Sequence, residues 1–504
     1  MKALRFYHGM VMCAKFKVGD RISYSDYNCT ILYVGEISVW PGEIAYGVEW
    51  DDDTRGKHNG KLGGIQYFNT IRPKSGSFLK VSKVDVSADP RRSFYDGICE
   101  KYGNTASDQF NVNIGTKMVE QLGFDKLNLI NKRWNSLGII DLSSAKIFCA
   151  GDNPSTEPIT TKDLDLSRNL ITDFKEIAKI LNNFKSVACL DLSENRFLRF
   201  LFDKTIKFCT VKTLKIRSCY LSMNNLQDIL AVFPNVQNLD ISGNRLYGND
   251  LANIHLILPN LKSLTVSNNC ITNIDLSKLI YLTELDISST DIKIQLSDIK
   301  SNSITFLNMT HIRLDSWTLV DKINIMFPSL CEIRCSLNWL PPIDAQFPDS
   351  KLFILIAILR HINIINGTII DRRMRKDADY YLECKLKEGA LKLEGFTLRM
   401  KELVKKFYNT IETVENHSWL NTNIITISLI IYFDELMHSK MKIYDKYSIR
   451  YLKGLISDEF NMKYYQIDIK YESTPGVLIP MSREFSPLSD YGVANGGKIH
   501  VNLM

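Results

Sequence analysis

Between residues 163 and 338 one short pattern recurs: DLDLSRNLI from Asp163, CLDLSENRF from Cys189, TLKIRSCYL from Thr213, NLDISGNRL from Asn238, SLTVSNNCI from Ser263, ELDISSTDI from Glu284 and FLNMTHIRL from Phe306. The first apolar positions are Leu164, Leu190, Leu214, Leu239, Leu264, Leu285, Leu307 and Ile333, spaced 21 to 26 residues apart. Five residues after each stand Asn169, Asn195, Cys219, Asn244, Asn269, Thr290, Ile312 and Asn338. A unit this short cannot bury its own apolar face, so the copies must stack to make a core.

The spacing is that of leucine-rich repeats. L-x-L predicts a short strand with two apolar side chains facing the stack, and an inward Asn or Cys that bonds backbone groups freed at the turn. Side chains between the leucines, Asp165, Asp191, Lys215, Asp240, Asp286 and Asn308, are expected on the concave side, as partner contacts or as a solvated strand face. Thr290 and Ile312 mark weaker copies. IDLSSAKI from Ile140 reads as an irregular opening copy, and Leu352 to Ile370 with DRRMRKDADYYL from Asp371 reads as a terminal cap, a buried helix plus strand.

At 504 residues the chain exceeds one ordinary domain. Its 45% hydrophobic and 23% charged content is globular, and a formal charge of +6 spread along the chain argues against nucleic acid as the main partner. Arg360 and His361 interrupt the most apolar window, which excludes a spanning helix, and the opening residues lack a secretory apolar run. Eleven scattered cysteines without a CxxC pair predict reduced thiols in a cytosolic protein, and the sequons at Asn28 and Asn366 read as chance. Eight histidines fall in no catalytic or metal-ligating context, so neither enzyme chemistry, metal nor cofactor is expected.

The last part alternates apolar runs with turns: ITISLIIYF, KMKIYDKYSI, YLKGLISDEF, YYQIDIKYE, GVLIPM and KIHVNLM. Strand, strand, helix, strand, short strand, strand is the ubiquitin-like order, with the helix at Tyr451 to Phe460 and a turn at Gly496-Gly497. No diglycine follows the final strand, which favours a docking module over a conjugated tag.

Near the front, FKVGDRI, ILYVGEI, YGVEWDD, RGKHNG, YF and SGSF follow one another from Phe16. From Thr54 to Val84 the chain carries Arg55, Lys57, Lys61, Arg72, Lys74, Lys80 and Lys83 and no Asp or Glu. Such a stretch attracts an acidic peptide; Lys57 or glycine-exposed amides could bond its terminal carboxylate, and an aromatic end could pack on Trp50 or Phe68. Asp51 to Asp53 read as a solvated turn. A phosphate loop is excluded because RGKHNGK lacks the required order.

The ordered elements of this front region resemble the CAP-Gly domain family, a small glycine-rich β fold. The resemblance implies a groove for the acidic, aromatic-ending terminus of α-tubulin or of certain plus-end proteins, lined by Trp50, Lys57, His58, Asn59, Gly60 and Phe68. The family's usual Gly-Lys-Asn-Asp-Gly is here Gly56, Lys57, His58, Asn59, Gly60, so a carboxylate is missing at Asn59.

The expected organisation is multidomain α/β and β: 13–84 CAP-Gly, 85–139 a linker of uncertain structure, 140–375 a leucine-rich-repeat solenoid with its cap, 376–420 a helical connector including 394–417, and 421–504 a ubiquitin-like β-grasp. In this order, with RGKHNG, RRMRKDADYYL and YGVANGGKIHV as further marks, the chain is similar to the tubulin-folding cofactor family. That implies a cytosolic, cytoskeleton-linked, non-enzymatic chaperone that binds α-tubulin, assembles or dissociates the α/β heterodimer with other tubulin-folding cofactors, and contacts the proteasome through its terminal domain. The alternative is a microtubule-associated or proteasome-linked adaptor scaffold without chaperone activity. Membrane is not an expected partner.

Overall fold

The computed structural model describes residues 14–504 except 89, 104–112, 115–116, 119–133, 155–156, 294–299, 345–346, 348, 393, 398–399, 403, 405–423, 433–435 and 504. The chain divides into two compact units, Met1–Ile292 and Lys293–Met504.

The first unit opens with a four-stranded antiparallel sheet in chain order: Arg21–Tyr24, Tyr27–Ile37, Trp40–Trp50 and Gly76–Lys80. Its first hairpin turns on Ser25 and Asp26, both at positive φ, the two-residue geometry whose twist matches paired strands. Phe16, Ile22, Cys29, Ile31, Tyr46, Val48, Trp50, Val81 and Val84 form its core. The Tyr46 hydroxyl accepts from Phe16 N at 3.0 Å and donates to Asp85 at 2.8 Å, which fastens the helix Val81–Ser87 to the sheet.

Beyond it, seven three-residue strands stack in parallel: Ile139–Asp141, Asp163–Asp165, Cys189–Asp191, Thr213–Lys215, Asn238–Asp240, Ser263–Thr265 and Glu284–Asp286. Ile140, Leu164, Leu190, Leu214, Leu239, Leu264 and Leu285 meet in register and are buried. The inward amides join one copy to the next. Asn169 Nδ2 donates to Leu142 O and Leu166 O, Asn195 to Leu166 O and Leu192 O, Asn244 to Ile216 O and Ile241 O, and Asn269 to Ile241 O and Val266 O, all at 2.8–3.0 Å. Thr290 has one hydroxyl for this task and, among the described residues, reaches Ile287 O of its own turn, at 2.7 Å.

Part of the segment 85–139 is packed structure. Arg92–Ser93 pairs in parallel with Ile147–Cys149, and Phe94, Tyr95, Ile98 and Trp134 are buried against the start of the strand stack. The aromatic contacts Phe94–Phe184 and Tyr95–Trp134 close that end.

In the second unit, Phe306–Met309 and Glu332–Cys335 pair in parallel, followed by Ile364–Ile365 and an antiparallel return at Thr368–Ile369. The apolar window forms the buried helix Ser350–Ile358, packed on the helix Arg372–Lys387, whose Asp371 cap accepts from Met374 N at 2.7 Å. Arg360 holds Asp379 with two 3.1 Å bonds. Most of the helix expected over 394–417 lies outside the described residues.

The C-terminal sheet runs Leu436–Tyr444, Ile424–Tyr432, Lys498–Leu503, Ile467–Thr474, Val477–Pro480, with Ile424–Tyr432 parallel to Lys498–Leu503. The helix Ile449–Phe460 is capped by Ser448 and ends at Asn461 in the left-handed region. This is the ubiquitin-like β-grasp arrangement. It sits on the helices Ser350–Ile358 and Arg372–Lys387: Tyr444 donates to Asp377 at 2.8 Å, Tyr451 to Asp349 at 2.7 Å, and the Tyr444 ring meets Phe353.

Candidate ligand groove of the glycine-rich domain

The loop after Trp50 must pass close to the strand Gly76–Lys80. A Cβ on Gly56 would lie 2.0 Å from Lys74 O, and one on Gly60, at φ +94°, would lie 1.9 Å from Phe68 O. Only glycine fits both places. The backbone between them is pinned by Lys57 N to Gly76 O at 2.8 Å, Gly76 N to His58 O at 2.8 Å, and Tyr67 N to Gly60 O at 3.0 Å. On the other side of the strand Gly76–Lys80, buried Glu49 accepts from Ile71 N, Arg72 N and the Ser75 hydroxyl at 2.9–3.0 Å, fixing the loop that carries Arg72 and Lys74.

A set of rings collects beside this loop. Phe78 meets His58, Phe68 and Tyr67 with centroids 5.1, 5.3 and 5.4 Å apart, and Tyr67 meets Tyr33 at 5.4 Å. Tyr33, Tyr67, Phe78 and His58 are half-buried, while Phe68 lies beneath them, 6% exposed. Lys57, Asn59, Lys61, Lys74 and Lys83 are exposed. Arg55 is spent on the faces of Tyr27 and Trp50, and Lys80 lies 2.7 Å from Glu43.

The His58 imidazole is held below its ordinary pKa, first by burial and then by Lys57. Its Nδ1 accepts from Gly60 N at 3.0 Å, so the neutral ring carries its proton on Nε2. Asn59 is exposed; its backbone oxygen accepts from Gln66 at 3.0 Å.

Two expectations need correction. Trp50 does not face a ligand: at 2% exposed it belongs to the sheet core, and the half-buried rings at the loop are Tyr33, Tyr67 and Phe78. Asp51 is not a solvated turn residue. Its carboxylate takes a two-pronged contact from Arg21, itself fully buried, and lies 3.7 Å from Arg196 of the strand stack. Burial pushes the Asp51 carboxyl up, but Arg21, with Arg196 and Arg72 behind it, more than reverses this and leaves it below the usual range. Arg21 also donates to Asn169 O at 3.3 Å, Asn28 donates to Arg168 O at 3.2 Å, and Arg196 and Arg72 both lie over the Tyr220 ring. The glycine-rich sheet is therefore fastened to the stack.

The side chains expected as repeat-face contacts are largely engaged within the chain. Asp165, Asp191, Asp240 and Asp286 each accept the backbone N–H of the serine two residues on, at 2.8–3.0 Å. Asp191 is buried, and Lys215 and Arg217 lie 3.6 and 3.8 Å from it. The signal was present in the sequence as the recurring pair Asp-x-Ser, at 165/167, 191/193, 240/242 and 286/288.

The class is defined first by its modules. The CAP-Gly domain model matches residues 18–84, so the glycine-rich sheet with its basic loop is a CAP-Gly domain, carried on one chain with a C-terminal ubiquitin-like domain. Along nearly its whole length the chain is similar to tubulin-specific chaperone E: it is 26% identical to that protein of Xenopus laevis over 94% of this chain and 98% of the other, and 25% identical to that of Drosophila melanogaster over 95% and 96%. It is 29% identical to Protein PAC2 of Saccharomyces cerevisiae over 97% of both chains. The solution structure of the C-terminal ubiquitin-like domain of mouse tubulin-specific chaperone E covers 16% of this chain and 88% of its own, at 22% identity and a TM-score of 0.15.

Proposed function

We propose that this chain is a cytosolic, non-enzymatic tubulin-folding chaperone. Its CAP-Gly groove takes the acidic, aromatic-ending tail of α-tubulin, its strand stack, read as a leucine-rich-repeat solenoid over 140–375, takes the folded body, and together they assist assembly or dissociation of the α/β heterodimer with other tubulin-folding cofactors. The boundaries 13–84 and 421–504 for the outer modules belong to the same reading, with the proteasome as a partner of the latter.

One observation carries it: three exposed lysines, Lys57, Lys61 and Lys74, stand without a carboxylate among them in the same loop that holds His58 and Tyr67, whose rings meet Phe78 and Tyr33. Charge hastens encounter with an acidic tail, and the rings select an aromatic end. The Asp51 contacts give this groove a fixed place on the stack, so a tail and a body held together act at high effective concentration and neither contact has to be strong alone.

The test is calorimetric titration of the whole chain with an acidic peptide ending in Glu-Glu-Tyr, beside the same peptide lacking the Tyr, at two salt concentrations. Binding that requires the Tyr and weakens with salt is expected. Absence of binding to either peptide removes tail capture. Co-sedimentation with polymer, with no change in soluble heterodimer, replaces the chaperone by a microtubule-associated scaffold.

A further inference from the structure

In the second unit a cavity of about 600 Å³ opens where the end of the strand Glu332–Cys335, the start of the helix Ser350–Ile358 and the β-grasp helix Ile449–Phe460 meet. Its wall carries Asp344, Asp349, Asp458 and Glu459 against one cation, Lys351. Lys351 is committed to Leu337 O and Asn338 O, at 3.1 and 3.4 Å. Asp344 lies 3.5 Å from Lys385 and 3.7 Å from Lys442. Asp458 and Glu459 are exposed.

Asp349 differs from all of these. It is 3% exposed and stands at the N-terminus of a helix, yet its side chain makes no capping bond. Oδ1 accepts from the Tyr451 hydroxyl at 2.7 Å, and Oδ2 is buried without a partner among the described residues. A buried carboxylate oxygen with no donor is costly, and a cavity beside it is where a donor can arrive.

We propose that this cavity receives an arginine side chain of a protein partner, its guanidinium donating to Asp349 Oδ2 while Asp458 and Glu459 favour its approach. A guanidinium is planar, rich in donors and more weakly hydrated than an ammonium, which suits a buried carboxylate. A metal ion is the poorer occupant, because no group of three or more possible ligands is gathered among the described residues. The volume exceeds one side chain, so residues flanking the arginine enter with it.

The site has a distinctive signature. Burial pushes the Asp349 carboxyl up and the Tyr451 bond partly offsets this, which leaves it raised to about 7. Tyr447 and Tyr451 beside it are themselves pushed up by burial and stay protonated, while Lys351, Asp344, Asp458 and Glu459 complete the charged surroundings. A guanidinium placed on this acid expels its proton, so binding near pH 7 releases the part of a proton still held there and tightens as pH rises through that range.

The experiment titrates the whole chain at pH 7 with a blocked Gly-Arg-Gly peptide and with its neutral citrulline counterpart, each in two buffers of different ionisation heat. The arginine peptide alone should bind, with a heat that differs between buffers by the proton released. Asp349→Asn should weaken it by about tenfold or more and abolish the buffer dependence. Should that variant melt early, Asp458→Asn with Glu459→Gln, at exposed positions, should still lower the affinity for the arginine peptide. Equal binding of both peptides, binding of neither, a buffer-independent heat, or unchanged affinity in the variants overturns the proposal.

Discussion

The carboxylate of Asp51 accepts from Arg21 at 2.9 Å and lies 3.7 Å from Arg196, so a single side chain of the CAP-Gly domain links a buried arginine of its own sheet to the strand stack. Arg21 has no exposed side-chain surface, and removal of its partner strands a charge. Asp51→Asn is expected to cost about 3 kcal/mol, seen as a lower urea midpoint. A loss below about 1 kcal/mol would mean that water reaches Arg21.

The pH dependence follows from the direction of the Asp51 shift. Its folded carboxyl sits below the ordinary value near 3.8, so its stabilisation is present above about pH 4 and lost as pH falls below it. The gap in stability between the native chain and Asp51→Asn should be constant from pH 7 to pH 5 and shrink below pH 4. A gap that stays level down to pH 3 contradicts the pairing.

Lys57 is exposed, with its backbone N–H already bonded to Gly76 O, so its side chain is free of any part in the fold of the loop. Lys57→Ala should weaken the Glu-Glu-Tyr peptide several-fold, by about 1 kcal/mol, and reduce its salt dependence while leaving the melting temperature in place. An unchanged affinity would move the tail contact to Lys61 or Lys74.

Gly60→Ala places a methyl 1.9 Å from Phe68 O at a left-handed φ of +94°. The loop must shift, at a cost of about 1–3 kcal/mol, and the rings above it move with Phe68. Both the thermal midpoint and the peptide affinity should fall; a variant as stable as the native chain would show that the loop has slack.

Asn269→Ala removes the donor to Ile241 O and Val266 O and the acceptor for Leu246 N. At about 1–3 kcal/mol for stranded buried groups, the variant should unfold at a clearly lower denaturant concentration. Asn269→Asp, with no amide donor, should not restore it.

Much of the local structure was legible. The spacing of Leu164 to Leu285 maps onto strand register because a strand of three residues has one inward position and each copy must bring it to the same layer. Gly56 and Gly60 could be read as a tight basic loop, and the alternation of the last eighty residues as a β-grasp, since both depend on neighbours in sequence. Trp50 and Asp51 were misplaced for one reason. Adjacent residues of a strand end point to opposite sides, and which side is core depends on what packs there.

Composition and periodicity alone determined the repeat length and the run of cations from Thr54 to Val84, because each is a property of residues close along the chain. Only the tertiary structure decided that Asp51 is half-buried against Arg21 while Lys57 is exposed, that Asp191 serves its own turn and its neighbours' cations, and that Asp349 keeps an oxygen without a donor among the described residues. Those outcomes rest on groups far apart in sequence, Arg21 with Arg196 and Asp349 with Tyr451, and burial sets the strength of each charge only once such groups have met.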